Sequence, residues 1–146
     1  MRLADAEATE RFGRALAERL RAGDAVALFG ALGAGKTTLA RGVLRGLGHD
    51  GDVASPTFPI VQTYEPPATR LPLWHVDLYR IERADELDEL GLDEARTYAA
   101  MVIEWPDRLR AIWPDTLLLT LGVEADGARA LTAQVPPAWG GRWPPT

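Results

Sequence analysis

A glycine-rich loop set between an apolar run and a helix-forming run constrains this chain more than any other feature. Gly30-Ala31-Leu32-Gly33-Ala34-Gly35-Lys36-Thr37 fits G-x-x-x-x-G-K-[ST] at every position. Before it, residues 25–29 are a short apolar run bounded by Asp24 and Gly30, the pattern of a buried strand. After it, residues 37–47 carry Leu39, Val43, Leu44 and Leu47 on one side, with Gly48 as a stop, the pattern of a helix. Strand, loop and helix in that order form a phosphate cradle. Glycines let the backbone fold tightly enough to aim several N–H groups at phosphate oxygens. The helix start adds the positive end of its dipole. Gly33, Ala34, Gly35, Lys36, Thr37 and Thr38 are the expected nucleotide-binding residues. Lys36 is expected on the β- and γ-phosphates, the Thr37 hydroxyl on Mg²⁺ and Thr38 toward the α-phosphate. The alternative is a glycine-rich turn that binds nothing. Composition argues against it, because the chain carries its positive charge as arginine yet uses its single lysine here. A compact ammonium fits between two phosphates where a planar guanidinium does not.

Two further apolar runs end in acids, Trp74-His75-Val76-Asp77 and Met101-Val102-Ile103-Glu104. In an open parallel sheet, ligands sit beyond the carboxyl ends of the strands. Asp77 therefore has the form of a Walker B acid that binds Mg²⁺ directly or through water. Glu104 is placed to ligate Mg²⁺ or to orient an attacking water. A turn-capping acid is the plain alternative for each. Thr57, in Ser55-Pro56-Thr57-Phe58, follows the loop helix, where P-loop proteins often sense the γ-phosphate; a simple Ser-Pro turn is the alternative. His75 shares a strand face with Asp77 and is expected to be structural rather than catalytic. Trp105 adjoins Glu104 at the expected active edge. Asp85, Glu86, Asp88 and Glu89 are expected on a solvated helix face.

The rest of the chain alternates strands with helices. Asp5 is the expected N-cap of a helix with Phe12, Leu16 and Leu20 on its stripe, closed by Gly23. Asp93 is expected to cap a short helix, and Asp126-Gly127 to turn a late hairpin. The expected fold is α/β, a three-layer P-loop NTPase fold with a mainly parallel sheet and an antiparallel C-terminal extension. One domain spanning residues 1–146 is the default for this length, with residues 136–146 an irregular tail. The sequence has no cysteine, which excludes disulfides and a thiol nucleophile. The formal net charge of −5 disfavours non-specific nucleic-acid binding; Arg41 and Arg45 are expected on a solvated face. The polar start does not resemble a signal peptide, and no apolar run approaches the roughly 18 residues of a membrane span. A soluble, cytoplasmic chain is the expectation.

Taken together, Gly33-Ala34-Gly35-Lys36-Thr37-Thr38, Ser55-Pro56-Thr57-Phe58, His75-Val76-Asp77-Leu78-Tyr79-Arg80 and Ile103-Glu104-Trp105-Pro106 resemble the TsaE (YjeE) family of small P-loop ATPases, in order and in spacing. The resemblance runs from about Thr9 to Asp107. It implies ATP and Mg²⁺ as ligands, Asp77 as the Walker B acid, Thr57 in a switch-like loop, Glu104 supporting Mg²⁺ and hydrolysis, and Trp105 close to the nucleotide. It also implies that ATP hydrolysis, slow alone, serves threonylcarbamoyladenosine formation at adenosine 37 of tRNA. The implied partners are TsaB and TsaD, with tRNA contacted indirectly through that complex. Ala31 departs from the acidic or amide residue usual in the family, which puts a partner contact in doubt rather than phosphate binding. A GTPase would need an N-K-x-D base reader, and the chain has no asparagine. A small-molecule P-loop kinase is a rival, although residues 66–70 are short for a lid. A nucleotide-dependent binding module with little hydrolysis is another. Residues 9–13 are the expected neighbourhood of the adenine.

Overall fold

Parallel strands buried on both faces are built from apolar runs, and these runs make the centre of the molecule. The computed structural model describes residues 1–53 and 60–145. Strands β1 (Arg2–Leu3), β2 (Ala25–Phe29), β3 (Val61–Tyr64), β4 (Leu73–Asp77), β5 (Ala100–Glu104), β6 (Leu117–Val123) and β7 (Arg129–Gln134) form one sheet in the order β1-β7-β6-β2-β5-β4-β3. The middle four, β6, β2, β5 and β4, are parallel. Both sides are closed by antiparallel pairs, β6 with β7 and β3 with β4. The late hairpin is thus the antiparallel extension its turn residues indicate. The alternation over residues 60–64 marks β3 as a strand, but its antiparallel return onto β4 and the existence of β1 are not evident in the sequence. Pro66 and Pro67 look like a break rather than a return, and two residues are too few to show a period.

Helices α1 (Ala6–Ala17) and α2 (Lys36–Gly46) cover one face. Asp5 caps α1 as expected, accepting from the Ala8 amide at 2.8 Å. The helix ends at Ala17 rather than running to Gly23, whose amide instead donates to Ala99 O at 3.0 Å. The two helices cross at backbone distance. A Cβ added to Gly42 would lie 2.2 Å from Glu10 O, and one added to Gly13 would lie 2.3 Å from Leu39 O. Beneath them Leu16, Leu28, Leu39, Leu44, Leu73, Val102 and Leu117 form the main core.

The opposite face is covered by α3 (Ala84–Leu90), α4 (Leu92–Ala95) and the chain after β5. Asp93 lies inside the first turn of α4, which starts from a left-handed Gly91, so it is not the cap. Val76, Leu78, Ile81, Met101 and Ile103 are buried here, whereas Leu87, Leu90, Leu109 and Trp113 are only partly covered. No residue of α3 is fully buried, in keeping with the solvated acids expected there.

After Pro136 the backbone is irregular apart from one 3-10 turn at Pro137–Trp139, but it is not loose. Trp139 is fully buried in the main core. Arg142 donates to the Asp24 carboxylate at 2.6 and 3.1 Å and to Arg19 O at 2.8 Å. Trp143 meets Phe12 edge-on at 6.0 Å. Among the described residues no helix is long and apolar enough to cross a membrane.

Candidate functional site

Side chains alternate across a strand. The register therefore sends Leu73, His75 and Asp77 of β4, and Ala100, Val102 and Glu104 of β5, toward the α2 face. Asp77 is the Cα partner of Glu104, and Glu104 also faces Leu28 across β2. The carboxyl ends of β2, β5 and β4 thus put the glycine loop, Glu104 and Asp77 in one row. They border a hollow of about 260 Å³ lined by Leu32, Gly33, Gly35, Lys36, Thr37, Thr38, Asp77, Tyr79, Glu104 and Trp105. A larger hollow of about 780 Å³ lies over α3 and α4, next to Leu109–Pro114. Two of its polar pairs answer each other, Arg110 on Asp88 at 3.3 Å and Trp113 Nε1 on Asp93 at 2.7 Å. The smaller hollow is the one where unlike chemistries converge.

Gly35 holds a left-handed backbone (φ 108°) as the N-cap of α2, and no side chain caps the helix. The first-turn amides of a helix lack intrahelical acceptors, so those of α2 are directed at the hollow. Lys36 is almost fully buried. Its Nζ donates to Gly30 O at 2.5 Å and Ala31 O at 3.0 Å, and lies 4.2 Å from the Trp105 ring centroid. Burial pulls its pKa below the usual lysine value, while Glu104, Asp77 and Asp107 pull the other way. The Thr37 hydroxyl donates to Glu104 at 3.1 and 3.2 Å. Asp77 accepts from the Tyr79 amide at 2.9 Å.

Trp105 adopts a left-handed backbone (φ 58°, ψ 51°) ahead of Pro106. That region is uncommon for a residue with a Cβ. It turns the indole back over the lysine and toward Tyr79, whose ring centroid is 5.0 Å away.

His75, expected to be structural, lies against the candidate site itself. It is fully buried, with Nε2 2.7 Å from Glu104 Oε2. A carboxylate only accepts, so Nε2 carries the proton in this pair. Nδ1 has no partner among the described residues. The period-2 spacing of His75 and Asp77 carries half of this signal; the contact with Glu104 needs the β4–β5 register.

Lys36, Thr37, Thr38, Gly33, Gly35, Asp77, Glu104 and Trp105 therefore come together. Ala34 is turned away. Its side chain is buried and its amide is spent on Ala31 O at 3.0 Å. Thr57 lies outside the described residues. Residues 9–13 sit in α1 and are not among those lining the hollow, although Thr9 lies beside the loop, its Cγ2 3.8 Å from where a Cβ on Gly35 would sit. Arg70, in the segment weighed as a lid, donates to Ala17 O at 2.8 Å at the end of α1, away from the site. Among the described residues no three His, Cys, Asp or Glu side chains cage a metal. Mg²⁺ needs no such cage, since it is commonly held by one or two carboxylates plus phosphate oxygens and water. The hard oxygen donors of Thr37, Glu104 and Asp77 fit that role.

A model of the family described as threonylcarbamoyl adenosine biosynthesis protein TsaE matches residues 3–131. The chain is 42% identical over 137 residues to the tRNA threonylcarbamoyladenosine biosynthesis protein TsaE of Streptomyces coelicolor, covering 90% of each chain. It is 36% identical over 129 residues to the protein of the same name from Treponema pallidum, covering 87% of this chain and 93% of that one. Among solved structures it is similar to Bacillus subtilis YdiB, with a TM-score of 0.76 and 29% identity, covering 91% of this chain and 82% of that one. The architecture is the P-loop NTPase fold.

Proposed function

Because the chain belongs to the TsaE family of tRNA threonylcarbamoyladenosine biosynthesis, we propose that it is a Mg²⁺-dependent ATPase serving that modification. The observation that carries this is the meeting of Lys36, Thr37, Asp77 and Glu104 in one hollow at the N-terminus of α2. About 260 Å³ suits a phosphate chain and a metal better than a whole nucleotide, because small-molecule pockets usually start near 300 Å³. The base then lies outside the hollow.

In this reading the amides at the start of α2 hold the phosphates, and the Lys36 ammonium leaves the loop carbonyls to bridge β and γ. Thr37, Glu104 and Asp77 would hold Mg²⁺, which when bound would supply positive charge to the phosphate oxygens. Glu104 turns its second role on the attacking water, and His75 keeps that carboxylate pointed at Thr37. Trp105 covers the lysine and limits water around it. ATP hydrolysis acts on a TsaB–TsaD complex in the cytoplasm, and tRNA is contacted only through that complex.

The test has two stages. Mg²⁺–ATP at about 100 times its Kd adds about 2.7 kcal/mol to stability, and Lys36→Ala is expected to lose the accompanying rise in Tm. An unchanged rise would remove the phosphate loop from the function. Mixing the chain with TsaB, TsaD and tRNA should restore modification at adenosine 37. Phosphate transferred to a metabolite instead of water would point to a kinase.

A further inference from the structure

We propose that Arg129 is a positioning residue for the phosphate loop: it grips the loop from behind and so fixes the direction of the amides that face the phosphates. The inference rests on the ATP-binding reading above and adds a residue from outside its motifs.

Arg129 opens β7, where it is the Cα partner of Leu3 in β1. Its Nε donates to Ala34 O at 2.7 Å, its Nη2 to Gly33 O at 3.3 Å and its Nη1 to Gly127 O at 2.5 Å. One planar group thereby ties two consecutive loop carbonyls to the turn of the late hairpin. It also packs beside Gly35, where an added Cβ would lie 3.8 Å from Nε. Arg129 is not among the residues lining the hollow, so it acts through the loop and not on the ligand.

The reason such a grip matters is geometric. A peptide group is planar and trans, so its C=O and N–H point in opposite directions. Ala34 C=O and Gly35 N–H belong to one such plane. Holding the carbonyl from behind aims the amide forward. The Gly33 carbonyl fixes the next plane, whose Ala34 amide rests on Ala31 O. Gly30, Gly33 and Gly35 all have positive φ. A stretch this rich in glycine has much conformational freedom to lose when a phosphate arrives. A loop already held loses less. Lysine would supply a point charge and could not span both carbonyls as a fork does.

The full-length chain, Arg129→Met and Arg129→Lys are titrated calorimetrically with Mg²⁺–ATP and with Mg²⁺–ADP, and Tm is measured without nucleotide. Loop amides of this motif serve the α- and β-phosphates, so the loss should be shared by both nucleotides. Arg129→Met is expected to bind each about tenfold more weakly, the scale of losing charge-assisted hydrogen bonds, with Tm lowered by only a few degrees. Arg129→Lys should fall between the two. Wild-type affinity in Arg129→Met overturns the proposal, as does a loss confined to ATP, which would mark a direct γ-phosphate contact. If Arg129→Met does not fold, Arg129→Lys decides: a severalfold loss for both nucleotides at near-normal Tm supports the grip, and wild-type affinity overturns it. Failure of the unaltered chain to bind either nucleotide overturns it too, by removing the ATP reading itself.

Discussion

The two faces of the sheet are built differently. On one, helices of 12 and 11 residues lie on fully buried leucines and touch each other through glycine. On the other, helices of seven and four residues leave Leu87, Leu90 and Trp113 half-covered beside a hollow of about 780 Å³. Every candidate site side chain on β4 and β5 belongs to the first face. A constellation of the kind proposed here for a metal and phosphates needs supports that do not yield, and the close-packed side supplies them. The open side leaves more of its apolar surface uncovered.

The contrast can be broken most severely at the helix crossing. Gly42→Ala brings a methyl group onto backbone that cannot rotate away, so it is expected to cost about 3 kcal/mol or more and lower Tm by on the order of 10 °C. A normal Tm would show that the crossing is looser than its geometry. Adjacent residues of β5 sharpen the point, because they face opposite ways. Glu104→Gln should keep the fold and some nucleotide affinity while losing Mg²⁺ dependence and about 100-fold or more in hydrolysis. Ile103→Val should do the reverse, costing about 1 kcal/mol of stability with turnover intact. Equal turnover in both would take Glu104 out of the mechanism. On the open face, Leu87→Ala is expected to cost only about 1 kcal/mol or less; a loss as large as that of Gly42→Ala would erase the distinction between faces.

The smallest effect concerns Lys36. Burial lowers its folded pKa below the unfolded 10.5. Between those two values the unfolded chain binds more protons, so stability rises with pH. In melts without nucleotide, the Tm of the unaltered chain should therefore gain slightly on that of Lys36→Met as pH climbs through the lowered folded value toward about 10.5. A Tm of the unaltered chain that falls relative to that of Lys36→Met as pH rises would contradict the direction.

Local patterns explain what the sequence discloses. Lys36 and Thr37 stand in a contiguous motif, and Asp77 and Glu104 end apolar runs, so each is legible one segment at a time. The fold class follows from the same runs. What stays hidden depends on registers between distant segments. His75 reaches Glu104 only because β4 lies beside β5, and Arg129 reaches Ala34 only because β7 folds back along β6. Trp139 and Arg142 look like part of an irregular end until Asp24 and the main core are placed beside them. Gly13 gives no sign in the sequence that its missing side chain makes room for the close approach of α2.

That approach also limits how the protein can be altered. Replacing helical glycine by alanine is a common way to harden a domain against heat, since it removes freedom from the unfolded chain. At Gly13 and Gly42 this route is closed. Each would place its new carbon within 2.3 Å of a backbone oxygen of the opposing helix, and a backbone atom cannot be traded for a smaller one. The seam has no neighbouring solution one step away, so improvement has to come from both helices at once or from the far side of the sheet.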